Sequence, residues 1–382
     1  MNLFALPDDQ IAIRDMARTF AAEKIAPHAL EWDEARHFPV AVMREAASLG
    51  MGGIYVNSDV GGSGLTRLDA ALIFEALAQG CPTVSAFMSI HNMTAWMIDR
   101  FGSAEQRQRF LPKLCTMATI ASYCLTEPAA GSDAAALRTS AKRDGDGYVL
   151  NGTKQFISGA GASGLYIVMA RSGGEGANGI SAFVVEGNSA GLSFGKNERK
   201  MGWNAQPTRA VLFENVRVPA ANRIGDEGLG FRIAMAGLDG GRINIAACSL
   251  GGAQAALDAA LRYTRERRAF GRRLNQFQAL QFRLADMATE LEAARLFLYS
   301  AAAAYDRGDG DVTVRCAMAK RLVTDIGFDV ANHALQLFGG YGYLSEYGIE
   351  KIVRDLRVHQ ILEGTNEIMR LIVARKLIGA DT

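Results

Sequence analysis

The hydrophobic period changes twice along this chain, from helical to alternating and back to helical, and that order limits the fold more tightly than any single motif. From Asp8 to about Thr119 apolar residues recur at helical spacing. Ile11, Ile13, Met16, Ala17 and Phe20 open one amphipathic stretch, Leu72, Phe74, Leu77 and Ala78 lie on another, and the loop from Asp59 to Gly64 separates helices. From Ala121 to about Val218 the period drops to two, with β-rich runs at Tyr148–Leu150, Leu165–Ala170, Ile180–Val185 and Ala210–Phe213. Asp144-Gly145-Asp146-Gly147 and Asn151-Gly152 are hairpin-turn signals, which predicts a small antiparallel sheet. Beyond Gly225–Gly230 long helical stretches return at roughly 230–267, 275–306 and 311–338, and their short connections predict a bundle. The chain therefore reads as α+β in three domains: an N-terminal helical domain over 1–119, a middle antiparallel β domain over 120–226 and a C-terminal four-helix bundle over 227–382.

A length of 382 residues is ample for domains that share a core. Lys and Arg number 41 against 40 Asp and Glu, a balance that argues against nucleic acid or a membrane surface as the main partner. The cysteines Cys81, Cys115, Cys124, Cys248 and Cys316 are far apart and form no C-x-x-C pair, so neither a disulfide framework nor a metal site is expected. The N-terminal segment Met1–Asp9 has neither a basic-then-apolar signal nor an Arg-rich transit pattern, and no apolar run is long enough to span a bilayer. A cytoplasmic, bacterial protein is the expectation.

Three motifs bear on chemistry. Gly159-Ala160-Gly161-Ala162-Ser163-Gly164 fits G-x-G-x-x-G, but the segment that follows, Leu165–Ala170, is β-type, so no helix opens to receive a pyrophosphate and a dinucleotide fold is not expected. Tyr123-Cys124-Leu125-Thr126-Glu127-Pro128-Ala129-Ala130-Gly131-Ser132-Asp133 carries a β run into two turns with small hydroxyls at the strand end. Finally, Glu363 follows Ile361 and Leu362 and precedes Gly364 and Thr365, the latter a good N-cap for a helix with Ile368, Leu371 and Ile372 on one face. Two readings of Glu363 stand side by side: a glutamate favoured by the helix dipole, or a buried carboxylate whose raised pKa suits it to take a weakly acidic C–H proton.

The Tyr123–Asp133 segment resembles the first signature of the acyl-CoA dehydrogenase family. Gln336-Leu337-Phe338-Gly339-Gly340-Tyr341-Gly342-Tyr343-Leu344-Ser345-Glu346, continuing through Lys351 and Asp355, resembles the second. Gly225–Phe231 and Glu266-Arg267-Arg268-Ala269-Phe270-Gly271, which also occur in that family, join them in the expected order, and the resemblance covers essentially the whole chain.

The resemblance implies FAD between the β domain and the C-terminal bundle. Tyr123, Leu125 and Thr126 would line the pyrimidine side of the flavin, with Phe156 against the ring system and the Ser158 hydroxyl near N5; many members have tryptophan at the Phe156 position, so this chain keeps a flat ring without the indole N–H. Arg267 would meet the pyrophosphate. Gln278 and the turn Gln336, Phe338, Gly339 and Gly340 would reach the adenosine half from a neighbouring subunit, and Phe270, Thr365 and Glu367 fall in the same cofactor-contact set. Arg268, Arg272 and Arg273 read instead as a solvated basic rim. On the substrate side the resemblance implies Ser132, Asp239, Arg242, Leu362 and Gly364, although Asp239 and Arg242 are also spaced as an ordinary helical ion pair.

The implied reaction is removal of an α-proton by Glu363 and of a β-hydride by the flavin, with the thioester oxygen polarised by the Glu363 N–H and a ribityl hydroxyl. Relatives that place the carboxylate on the Leu238–Arg242 helix differ here, since this chain has Gly240 and Gly241 there. Segments such as Ile90–Met93, Gly202–Asn204 and Gly240–Ala246 resemble members acting on 2-methyl-branched substrates, so a short branched acyl-CoA is expected, isobutyryl-CoA first, as in valine catabolism. Leu362 and the Gly240-Gly241 pair would widen the pocket near the α-carbon. A straight short-chain substrate, butyryl-CoA, is the runner-up. A flavin oxidase and a non-catalytic acyl-CoA-binding protein of the same fold are further alternatives. An electron-transferring flavoprotein as acceptor and a homotetramer built as two dimers complete the implied partners.

Overall fold

The computed structural model describes residues 6–379; the segment read for a targeting signal begins outside the described residues, as do positions 380–382. The N-terminal helical pattern resolves into α1 (Asp8–Phe20), α2 (Ala29–Ala35), α3 (Val40–Ser48), α4 (Arg67–Gly80), α5 (Pro82–Phe101) and α6 (Ala104–Cys115). Local chemistry sets several starts. Thr66 accepts the Asp69 N–H while the Asp69 carboxylate accepts the Thr66 N–H, and Ser103 and Gln106 repeat this reciprocal capping at α6.

The middle domain is an eight-stranded sheet of β1 (Ala121–Cys124), β2 (Ser140–Asp144), β3 (Gly147–Ser158), β4 (Leu165–Arg171), β5 (Ile180–Glu186), β6 (Leu192–Phe194), β7 (Thr208–Pro219) and β8 (Arg223–Ile224), in the order β6-β7-β3-β2-β4-β5-β8. It departs from the purely antiparallel expectation in two places: β1 pairs β4 in parallel, from Ala121 with Leu165 to Cys124 with Val168, and β2 touches β4 in parallel at Ser140 and Arg171. The cause is connectivity. β1 enters straight from α6 without a hairpin, so no tight turn imposes an antiparallel partner. His91 of α5 guides this entry, its Nδ1 accepting the Ala121 N–H at 3.1 Å while Nε2 faces the Leu114 carbonyl at 2.9 Å.

Of the two predicted hairpin turns, Asp144–Gly147 links β2 to β3 as expected. Asn151-Gly152 does not turn the chain; it is a register shift inside β3, opposite β7. Gly152 is required there, with φ of 146° and a Cβ position only 2.7 Å from Thr139 Cα. The G-x-G-x-x-G segment is the connection from β3 to β4, with no helix, as read from the sequence.

After the sheet come α7 (Gly230–Glu266), a short hairpin of β9 (Arg268–Ala269) and β10 (Arg272–Arg273), then α8 (Gln278–Arg307), α9 (Val312–Phe338), α10 (Ile349–Arg357) and α11 (Asn366–Ile378). Arg268, Arg272 and Arg273 are exposed, in keeping with a solvated rim. Phe74 and Leu77 of α4, Ile243 and Leu250 of α7, Leu291 of α8 and Val323 of α9 belong to one continuous core, so the two helical domains share their interior. A second core joins Met97, Ile98 and Leu111 to Ile167 and Met169 of β4. The three domains meet at Asp355 of α10, which accepts the Trp203 N–H at 2.7 Å, the Thr83 hydroxyl at 2.9 Å and the Lys351 ammonium at 2.6 Å. None of the described helices is long and apolar enough to cross a membrane.

Candidate active site

Where the helical domains and the sheet meet, the chain after α10 makes a turn that no regular element would allow. A 3-10 turn over Val358–Gln360 leads to Glu363 with φ of 55° and Gly364 with φ of 87°, after which Thr365 caps α11 by accepting the Ile368 N–H at 3.4 Å. A left-handed backbone is uncommon for glutamate and persists only where surroundings over-determine it. Here Lys320 of α9 donates to the Gly364 carbonyl at 2.8 Å and to Asn366 Oδ1 at 2.9 Å, and Arg242 of α7 approaches the Glu363 carbonyl at 3.5 Å. The result points the Glu363 side chain across the face of α7.

That side chain is buried and chemically exceptional for a carboxylate. Oε2 of Glu363 is sealed from solvent and has no hydrogen-bond partner. Burial pushes the carboxyl up to about 7, against the opposing pull of Lys320 and Arg242. A carboxyl in that range is a substantially stronger base than an exposed glutamate and is still partly ionised near neutral pH.

Glu363 lines a cavity of about 330 Å³ to which all three domains contribute. The middle domain supplies Tyr123, Leu125, Thr126, Ser132, Phe156 and Ser158, and the C-terminal domain Arg242, Leu362, Glu363 and Gly364. Ile90 and Met93 of α5 complete one wall. Phe156 stands on a left-handed backbone with φ of 60° and is 63 % exposed, so much of its surface has no protein cover. The Tyr123 hydroxyl is buried without a partner. The lip carrying Ser132 is held by Glu127, which accepts the Arg138 and Thr139 N–H groups at 2.6 and 2.9 Å and pairs with the buried Lys154 at 2.7 Å.

Other expected contacts lie elsewhere. Asp239 accepts from Arg242 and from the Thr313 hydroxyl, each at 2.6 Å, and so orients Arg242. Arg242 is buried and Asp239 half-buried, so this is not the exposed ion pair its spacing permits. Thr365 is engaged as a helix cap, and Glu367 is exposed and paired with Arg370 at 3.2 Å. Arg267, Gln336, Phe338, Gly339 and Gly340 line a separate cavity of about 620 Å³ on the bundle, with the Arg267 guanidinium 5.1 Å from the Tyr341 ring centroid. Phe270, 94 % exposed, and Gln278, also exposed, line neither cavity within this chain.

The two glycines of α7 differ from expectation in what fills their space. A Cβ at Gly241 would lie 2.6 Å from Glu363 Oε2, and one at Gly240 would lie 2.7 Å from the Arg67 guanidinium carbon. Gly241 makes room for the carboxylate and Gly240 for an arginine packed on the Tyr55 ring at 3.5 Å, so the pair does not by itself widen a ligand pocket. Sequence reasoning missed Arg67, Lys320 and Trp203, which lines the cavity on a left-handed backbone with φ of 56°. The available signal was a lysine within the largely apolar run Cys316–Val323, with Arg321 beside it.

Comparison with known proteins decides the family. The acyl-CoA dehydrogenase N-terminal, middle and C-terminal domain models match residues 7–118, 122–216 and 228–378. The chain belongs to the acyl-CoA dehydrogenase family. This acyl-CoA dehydrogenase is 57 % identical over 373 residues to the mitochondrial isobutyryl-CoA dehydrogenase of Bos taurus, an alignment spanning 98 % of this chain and 90 % of the relative. Its fold matches butyryl-CoA dehydrogenase from Megasphaera elsdenii with a TM-score of 0.95 at 40 % identity, covering 98 % and 99 % of the two chains. It also matches a structure described as PigA with FAD and proline, with a TM-score of 0.95 at 32 % identity and 98 % coverage of both. As a member of this family the acyl-CoA dehydrogenase is a flavin-dependent oxidoreductase, and its three-domain architecture is the one read from the sequence.

Proposed function

We propose that this enzyme removes the α-proton and β-hydride of a short, 2-methyl-branched acyl-CoA, isobutyryl-CoA first, with Glu363 as the base. The observation that carries the reading is the Glu363 carboxylate: unpartnered at Oε2, raised to about 7, and set on a cavity whose remaining wall is mostly apolar. A thioester whose α-carbon lies beside Oε2 gives its proton to that oxygen. The Glu363 N–H, which no described backbone carbonyl accepts, is the protein donor available to the thioester oxygen as negative charge develops there. Arg242 and Lys320 hold the turn that presents both groups.

FAD fits the residues present. The exposed Phe156 ring offers a flat apolar face, and Thr126, Ser158 and the orphan Tyr123 hydroxyl offer polar groups on the same cavity, which Leu125 also lines. The PigA relative, by its description, holds FAD. When bound, FAD supplies the hydride acceptor. Arg267, Gln336, Phe338, Gly339 and Gly340, gathered in the second cavity, together with the outward-facing Phe270 and Gln278, would meet the cofactor's other half across a subunit boundary, in a homotetramer of two dimers. Ser132, Leu362 and Gly364 face the acyl thioester in this reading, an electron-transferring flavoprotein is the acceptor, and the isobutyryl group places the step in valine breakdown.

Butyryl-CoA is the second reading, favoured by the close match in fold to the Megasphaera enzyme and by the finding that Gly240 and Gly241 are already filled. The experiment compares kcat/KM for isobutyryl-, 2-methylbutyryl-, isovaleryl-, butyryl- and octanoyl-CoA with one electron acceptor. Discrimination by a methyl group in an apolar pocket is about 10- to 200-fold, so isobutyryl-CoA should lead butyryl-CoA within that range. A clear lead for butyryl- or octanoyl-CoA removes the branched-chain assignment and leaves the reaction class intact.

A further inference from the structure

Lys320 is fully buried, with 0 % exposure, and among the described residues its ammonium bonds to Gly364 and Asn366. Its hydrogen-bond acceptors, the Gly364 carbonyl and Asn366 Oδ1, are both neutral. A buried ammonium without a contacting counter-charge is costly, and a hydroxyl or amide could have satisfied one carbonyl at less cost. One carboxylate stands a residue removed: Asn366 Nδ2 donates to Asp325 Oδ1 at 2.7 Å, so the amide lies between the lysine and that carboxylate. The ammonium's field is therefore left acting on the other side, where the Glu363-Gly364 turn lies.

We propose that Lys320 is a positioning residue for the Glu363 base: its bond to the Gly364 carbonyl fixes the turn that aims the carboxylate across Gly241, and its uncompensated charge favours the ionised carboxylate. The proposal rests on the reading of Glu363 as base. Burial lowers Lys320 to about 8 while Glu363 acts to raise it, and Lys320 in turn leads the charges that lower Glu363, so the two ionise in mutual support. Among the other groups near Glu363, Arg242 of α7 adds a second pull in the same direction, smaller than that of Lys320, and it is held by Asp239 in direct contact. Tyr55, Tyr123 of β1 and Cys248 of α7 are pushed upward by burial and stay uncharged near neutral pH.

The test uses the holoenzyme and two readouts: the pH profile of kcat/KM, and exchange into D2O of the α-protons of an acyl-CoA analogue with sulfur at the β-position, which can lose an α-proton but offers no β-hydride. Lys320→Gln keeps a donor for the Gly364 carbonyl and loses the charge. Its lower limb in both profiles should move up by about one pH unit, an about tenfold loss at pH 6 that shrinks as pH rises, with Lys320→Arg restoring the wild-type limb. Asn366→Asp sets a carboxylate on the same ammonium without opening a cavity and should move the limb the same way, which keeps the proposal testable if Lys320→Gln fails to retain flavin. An unmoved limb in either flavin-retaining variant overturns it. Glu363→Gln run alongside separates the two claims: if that variant still exchanges α-protons, the base reading fails; if it is silent while the lysine variants keep the wild-type limb, only the role of Lys320 fails.

Discussion

Glu363 occupies the space that a side chain on Gly241 would need, its Oε2 lying 2.6 Å from where the Cβ would stand. This contact couples a helix in one part of the bundle to a turn far along the chain, and it makes glycine at 241 a requirement for the observed Glu363 conformation. Gly241→Ala should leave the fold intact, because the obstructed atoms are the end of a flexible side chain. The rate of flavin reduction should fall about 100-fold or more, the scale expected when a reacting group is displaced by about an ångström. Stopped-flow reduction, with flavin content as the control for folding, checks this.

Gly240→Ala should act differently. The added Cβ meets the Arg67 guanidinium at 2.7 Å, and that group is boxed between the Tyr55, Trp96 and Tyr305 rings. Overpacking of this kind costs about 1–3 kcal/mol. A lowered melting temperature with the pH profile of catalysis unmoved is the expected outcome.

The pH dependence of stability carries a defined sign. Glu363 has a folded-state pKa raised from 4.5 to about 7, so its protonated form is favoured by folding; relative stability is retained below the unfolded value and lost as pH rises through the folded one. Glu363→Gln cannot ionise and escapes this loss. Its melting temperature should exceed the wild-type value at pH 8 by more than at pH 5, and an equal difference at both would contradict the raised pKa.

Asp355→Ala should be the most damaging of these changes to the fold. It strands the Lys351 ammonium in the interior and releases Trp203 and Thr83 together. Removing one partner of a buried pair costs about 3–5 kcal/mol, whereas Arg268→Ala on the exposed hairpin should change stability by about 0.5 kcal/mol or less. Denaturation of the two variants side by side measures the contrast.

What could be read in advance follows a physical division. The long helices after Gly230 were legible because their apolar spacing persists over many turns, while the apolar run, glycine and capping threonine around Glu363 left open whether it is buried or only favoured by the helix dipole. Parallel pairing of β1 with β4 was not, since a four-residue strand states nothing about its partner. Asn151-Gly152 carried a turn signal that the β7 register turned into a bulge. Lys320 and Arg67 were invisible for a related reason: a cation within a helix looks solvated until the packing of other helices buries it. The Gly240-Gly241 pair was noticed, but which side chains fill the space beside them depends on residues distant in sequence.

The most direct test is anaerobic mixing of Glu363→Gln with isobutyryl-CoA, followed by flavin absorbance in a single turnover. The amide is nearly isosteric and the flavin-facing residues are untouched, so the variant should remain yellow and bind the CoA ester. Bleaching should be almost abolished while wild-type enzyme bleaches rapidly. Bleaching of Glu363→Gln at the wild-type rate would contradict the assignment of Glu363 as the base.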